Sequence, residues 1–163
     1  MIIRRMYRLS RTPRVQAGVG LIEVLVAVLV LSIGFLGIAA LQAMSLSTNN
    51  SAMARSMATI DTYSILDAMR ADLTGATSGS YTTTVTANAC PAAGASLASL
   101  QLNQWCGQLG KDLGATASTT GKVDCTNATG TNTAYCTITI QFDDSRAGLQ
   151  GSSTQQVVTK AML

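Results

Sequence analysis

At 163 residues with 4% aromatic content, the chain has room for one small domain and not for a large ring-filled core. The formal charge of +3 sits in the first segment: removing Arg4, Arg5, Arg8, Arg11 and Arg14 leaves six basic against eight acidic residues, about −2, which excludes nucleic-acid binding by the bulk of the chain. There is no histidine and no nucleophile motif, so the composition offers neither an enzyme nor a cofactor or metal site.

Residues 1–18 are short, basic and free of acids, and the positive-inside rule keeps them in the cytoplasm. From Val19 to Leu41 the only charge is Glu23. A helix over that stretch rises about 34 Å, enough to cross a hydrocarbon core of about 30 Å. A carboxylate there costs several kcal/mol unless it is paired, snorkels or lies near an interface. An ordinary signal peptide carries a small-residue cleavage site after its apolar run, and Ile38-Ala39-Ala40 is only weakly similar to one. Ser32, Gly34 and Gly37 interrupt the run. They make either a soft point or a tolerated small-residue face.

Basic leader, Gly18, apolar start and Glu23 together resemble the class III signal of type IV prepilins. That resemblance implies cleavage between Gly18 and Val19 on the cytoplasmic side by a prepilin peptidase, which also N-methylates Val19. It implies that Glu23, fifth in the mature chain, pairs with the terminal amine of a neighbouring subunit. The first mature residue in that family is usually Phe, and here it is Val. Cutting before the apolar run keeps the anchor on the mature protein. An acid that needs a cationic partner in low dielectric then sets the register of packed helices.

From Gln42 the sequence turns amphipathic. Met53, Met57, Ile60, Tyr63, Leu66, Met69 and Leu73 recur at spacings of three and four, with Arg55, Asp61, Asp67, Arg70 and Asp72 mostly between them. One helix from about Val19 to Leu73 is expected, stopped at Gly75 and carrying a head on its apolar stripe. From Thr74 to Ala134 the composition shifts to Ser, Thr, Gly, Ala and Asn. Short strands are expected at Tyr81–Val85 and around Val123–Cys125, and a short helix at Gln101–Leu113 with Trp105 beside Cys106. Asn49-Asn50-Ser51 and Asn127-Ala128-Thr129 match a glycosylation sequon and are read as incidental. Ala134–Phe142 alternates strictly, with Cys136, Ile138, Ile140 and Phe142 on one face, and reads as the best strand. Asp143, Asp144 and Ser145 read as a solvated turn, and Gln155–Leu163 as a returning strand.

Cys90, Cys106, Cys125 and Cys136 all follow the apolar run and lack zinc spacing, which fits disulfides in an oxidising compartment. Three connectivities are open. Cys90 with Cys106 and Cys125 with Cys136 is preferred on sequence proximity alone. The expected fold is α+β and pilin-like: a long N-terminal helix on a small antiparallel sheet. The expected domains are a leader (1–18), a membrane and filament-core helix (19–41), an amphipathic continuation (42–74) and a disulfide-containing head (75–163).

The segment AGVGLIEVLVAVLVLSIGFLGIAALQ, the Trp105-Cys106 pair and ITIQFDDS resemble the PilV-type minor pilins. The resemblance implies a subunit that joins other minor pilins and the major pilin, primes assembly and sits at or near the pilus tip. There it supports adhesion and twitching motility, with a tip adhesin as a further partner. Before assembly it sits in the inner membrane with its head in the periplasm. One alternative is a pseudopilin of a type II secretion system, which uses the same signal. Another is a single-pass anchor with a periplasmic binding domain, which predicts no cut after Gly18.

Overall fold

The α1 helix runs from Leu21 to Ala71. The computed structural model describes residues 18–127 and 133–163, so all of the leader but Gly18, and Ala128–Thr129 of the second sequon, lie outside the described residues. The chain divides into two units at Leu41/Gln42. In the first, α1 continues without a break through Ser32, Gly34 and Gly37, and Ser32 Oγ donates to the Val28 carbonyl at 2.7 Å.

In the second unit α1 lies on a four-stranded antiparallel sheet. The elements after α1 are α2 (Leu73–Thr77), β1 (Thr83–Thr86), α3 (Leu97–Leu113), β2 (Thr120–Asn127), β3 (Ala134–Phe142), a 3-10 segment (Ser145–Gln150) and β4 (Gln155–Met162). The sheet order is β1-β2-β3-β4, a plain meander with every neighbour antiparallel. On β3, Cys136, Ile138, Ile140 and Phe142 are buried and Tyr135 is exposed, as period-two alternation requires. These side chains meet Ile65, Leu66 and Met69 of α1 and Trp105 and Leu109 of α3 in one core. The fold is α+β and pilin-like, a long apolar N-terminal helix packed on a small sheet.

Glycine matters at one core position. A Cβ on buried Gly121 of β2 would come within 2.4 Å of the Trp105 ring and 2.7 Å of Leu109. Only glycine lets α3 lie this close to the strand.

Four expectations are corrected. The long helix breaks at Asp72, not Gly75. The Asp72 carboxylate accepts from Gly75 N–H at 3.1 Å and starts α2, which runs through Gly75; the positive-φ residue beyond it is Gly79 (φ 81°). β1 begins at Thr83, because Tyr81 turns into the core; its hydroxyl is shared between Asp72 Oδ2 at 3.1 Å and Gln101 Oε1. α3 begins four residues early, at Leu97, because Ser96 Oγ accepts from Ser99 N–H at 3.2 Å.

The fourth correction concerns the apolar stripe. The buried face of α1 is Ser51, Ala58, Asp61, Thr62, Ile65, Leu66 and Met69, whereas Met53, Ile60 and Tyr63 are exposed. Each residue turns the helix by about 100°, so a step of three falls about 60° short of a full turn. Successive threes from Met57 to Met69 therefore wind around the helix instead of marking one side. Small residues at 51, 54, 58 and 62 are buried or half-buried on this side.

Candidate functional site

Gly18, Val19 and Gly20 precede the helix, whose first hydrogen bonds run from Glu23 N–H and Val24 N–H to the Gly20 carbonyl at 3.0 and 3.3 Å. Glu23 thus occupies the first turn of α1, where unpaired backbone N–H groups favour an anion. Helical spacing lines it up with Ala27 and Leu31, and Val19 lines the same groove. From Gly18 to Leu46 every residue is exposed; Val19 is 71% and Leu21 80% accessible. Among the described residues, α1 is the one helix long and apolar enough to cross a membrane. Chemically this end is an apolar rod with a single acid near its tip. Among the described residues no cation lies within ion-pair distance of this acid.

In the head, Cys90 is bonded to Cys106 with Cα atoms 5.6 Å apart, and Cys125 to Cys136 with Cα atoms 4.1 Å apart. The first bond ties the segment before α3 to the helix itself. The second joins residues directly opposite in the β2–β3 ladder. No cysteine is free. Trp105 does lie beside Cys106, and its indole N–H donates to the Asp61 carbonyl at 2.9 Å.

The sequence reading missed two buried acids. Asp61, placed there on the polar side of α1, is fully buried, and among the described residues neither carboxyl oxygen has a hydrogen-bond partner. Burial and the negative charge of Asp112 on α3 raise its pKa to about 7. Asp144, read as part of a solvated turn, is also buried. It accepts from Ser51 Oγ at 2.5 Å and lies 3.6 Å from Arg55, both brought by α1. Asp143 is the solvated member, held below the usual carboxylate range chiefly by the Ser145 N–H it accepts at 2.9 Å. A signal for Asp61 was present: it falls in the series 58, 61, 62, 65, 69, the spacing of a single helix face.

Residues 13–39 match the family model described as the prokaryotic N-terminal methylation motif. No curated protein and no solved structure matches the chain. The motif match supports a type IV pilin-like or pseudopilin protein, points to a structural role, and implies processing by a prepilin peptidase and handling by pilus assembly machinery. Together with the exposed apolar helix it fits an inner-membrane-anchored pilin.

Proposed function

We propose that the chain is a minor pilin of the type IV pilus, of the PilV type. The leader is cut between Gly18 and Val19, and Val19 is N-methylated. Val19–Leu41 then holds the protein in the inner membrane, N-terminus cytoplasmic and head periplasmic, until it is drawn into the filament. At or near the tip, with other minor pilins and the major pilin, it primes assembly and supports adhesion and twitching. Glu23 meets the terminal amine of a neighbouring subunit and fixes the register between helices.

The observation that carries this reading is the coincidence of the methylation motif with an apolar helix that, among the described residues, is exposed from Leu21 to Leu46. A transmembrane anchor and a filament-core helix both need such a surface. The mass of the N-terminal peptide from membranes or sheared pili tests the first step. A chain beginning at methylated Val19 is expected; an intact leader, or a cut near Ala40, overturns the reading. Glu23→Ala is expected to leave cleavage intact and to remove the protein from sheared filaments.

The motif serves secretion pseudopilins equally well. Loss of surface pili on deletion, with secretion intact, selects the pilus. The reverse selects the pseudopilus.

A further inference from the structure

β4 forms one edge of the sheet along its whole length, and the backbone says which of its groups are unused. Ala134 and Leu163 exchange both hydrogen bonds, at 3.0 and 2.9 Å. Antiparallel pairing alternates, so Ala161, Thr159, Val157 and Gln155 also turn their backbone groups toward β3. Gln156, Val158, Lys160 and Met162 therefore present theirs outward. Among the described residues one of these groups is occupied: the Gln156 carbonyl accepts from Gln155 Nε2 at 3.3 Å.

The side chains of these four residues share the solvent face of the sheet. Val158 is 52% and Met162 63% exposed, and Met162 stands opposite exposed Tyr135. A shallow groove of about 280 Å³ lies there, lined by Tyr135, Cys136, Thr137, Lys160, Ala161 and Met162. Long edge strands with apolar side chains invite pairing, and proteins blunt them with charged side chains, lysine above all, with proline or with a bulge. β4 carries Lys160 alone.

Lys160 also indicates the occupant. Among the described residues it has no carboxylate within ion-pair distance, unlike Lys122, which meets Asp124 at 3.2 Å. β4 contains no acid, so a second copy pairing antiparallel leaves the lysine uncompensated in every register. We infer that the β4 edge receives an extended strand of a different protein, one whose solvent-side face sets an acidic residue against Lys160 and apolar residues against Val158 and Met162. Main-chain hydrogen bonds supply the adhesion, and the lysine with its two apolar flanks supplies the selection. This does not depend on which filament the chain enters.

The test uses the full chain in detergent micelles and two synthetic peptides at millimolar concentration, TVTETVT and TVTKTVT, with amide hydrogen exchange read residue by residue. The acidic peptide is expected to slow exchange at Gln156, Val158, Lys160 and Met162, binding about two- to fivefold more tightly than the lysine peptide, as befits one cross-strand charge pair. Lys160→Glu is expected to reverse that preference. Val158→Pro removes an outward N–H, a position where a strand tolerates proline, and is expected to weaken binding roughly tenfold with the fold retained. Should that variant not fold, the reversal by Lys160→Glu decides alone. No slowing with either peptide, or equal slowing with both, overturns the inference. So does slowing without peptide that grows with protein concentration, which would assign the edge to a second copy.

Discussion

The two stretches of α1 share a backbone and differ in everything that holds a helix in place. From Gly18 to Leu46 no side chain is buried, and Leu36 is 72% exposed. From Ser51 onward one face is closed off, and Leu66 is 1% exposed. Each stretch has one acid on which this difference turns: exposed Glu23 in the first, fully buried Asp61 in the second. Isolated helices are marginal in water, and most helical stability comes from packing of a face. The second stretch finds that packing inside its own chain. Among the described residues the first has none, so changes in the two stretches should register in different measurements.

The largest expected effect is at Asp61, read through the single tryptophan, Trp105, which bonds to its carbonyl. The folded pKa is raised from 3.8 to about 7, so between those values the folded chain holds a proton that the unfolded chain has lost. The contribution of Asp61 is therefore full below about pH 4, falls as pH rises toward 7 and stays low above it. The loss amounts to as much as about 4 kcal/mol. Asp61→Asn should abolish this slope in urea unfolding followed by Trp105 fluorescence. Asp112→Asn should shrink it by removing the repelling charge. A slope unchanged in Asp61→Asn assigns the pH dependence elsewhere.

Next comes Leu66→Ala. Leu66 sits in the core with Ile65, Met69, Trp105 and Ile138, and its truncation should cost the head about 2–5 kcal/mol. Ser51→Ala should cost less, about 1–3 kcal/mol, because it leaves buried Asp144 without its 2.5 Å donor while Arg55 remains nearby. Urea midpoints for the three proteins, wild type included, fix the order. A Ser51→Ala loss equal to that of Leu66→Ala would mean that the 3-10 segment after Asp144 unfolds with it.

How much of this could be read from the sequence depended on how local each signal was. The apolar rod, Glu23 within it and the alternation of β3 are each written in one contiguous stretch, and all three stand in the structure. The buried face of α1 was not legible, because runs of three-residue spacing imitate a stripe while winding around the helix. Asp144 looked solvated because its partners, Ser51 and Arg55, lie some ninety residues earlier in the chain. Tyr81 belonged to a strand by propensity, and its hydroxyl's bonds to Asp72 and Gln101 moved it into the core. Burial is a property of what approaches from elsewhere, and neither hydropathy nor spacing names the approaching element.

The smallest expected effect is the most discriminating. Leu36→Ala makes the same chemical change as Leu66→Ala, at a side chain 72% exposed instead of 1%. It creates no cavity in the head, so the urea midpoint reported by Trp105 should move by no more than about 0.5 kcal/mol, as for an ordinary surface substitution. Glu23→Gln should be equally silent there, since among the described residues the acid has no ion-pair partner. Both should instead show in the amount of protein recovered in sheared filaments. The leucine removes apolar area that a neighbour would cover, and the glutamine removes the charge a neighbour's amine would meet. If Leu36→Ala lowers the head's midpoint as Leu66→Ala does, the first stretch is packed against its own chain in solution. The contrast between the halves of α1 then disappears, and with it the reason for assigning Glu23 a partner outside the molecule.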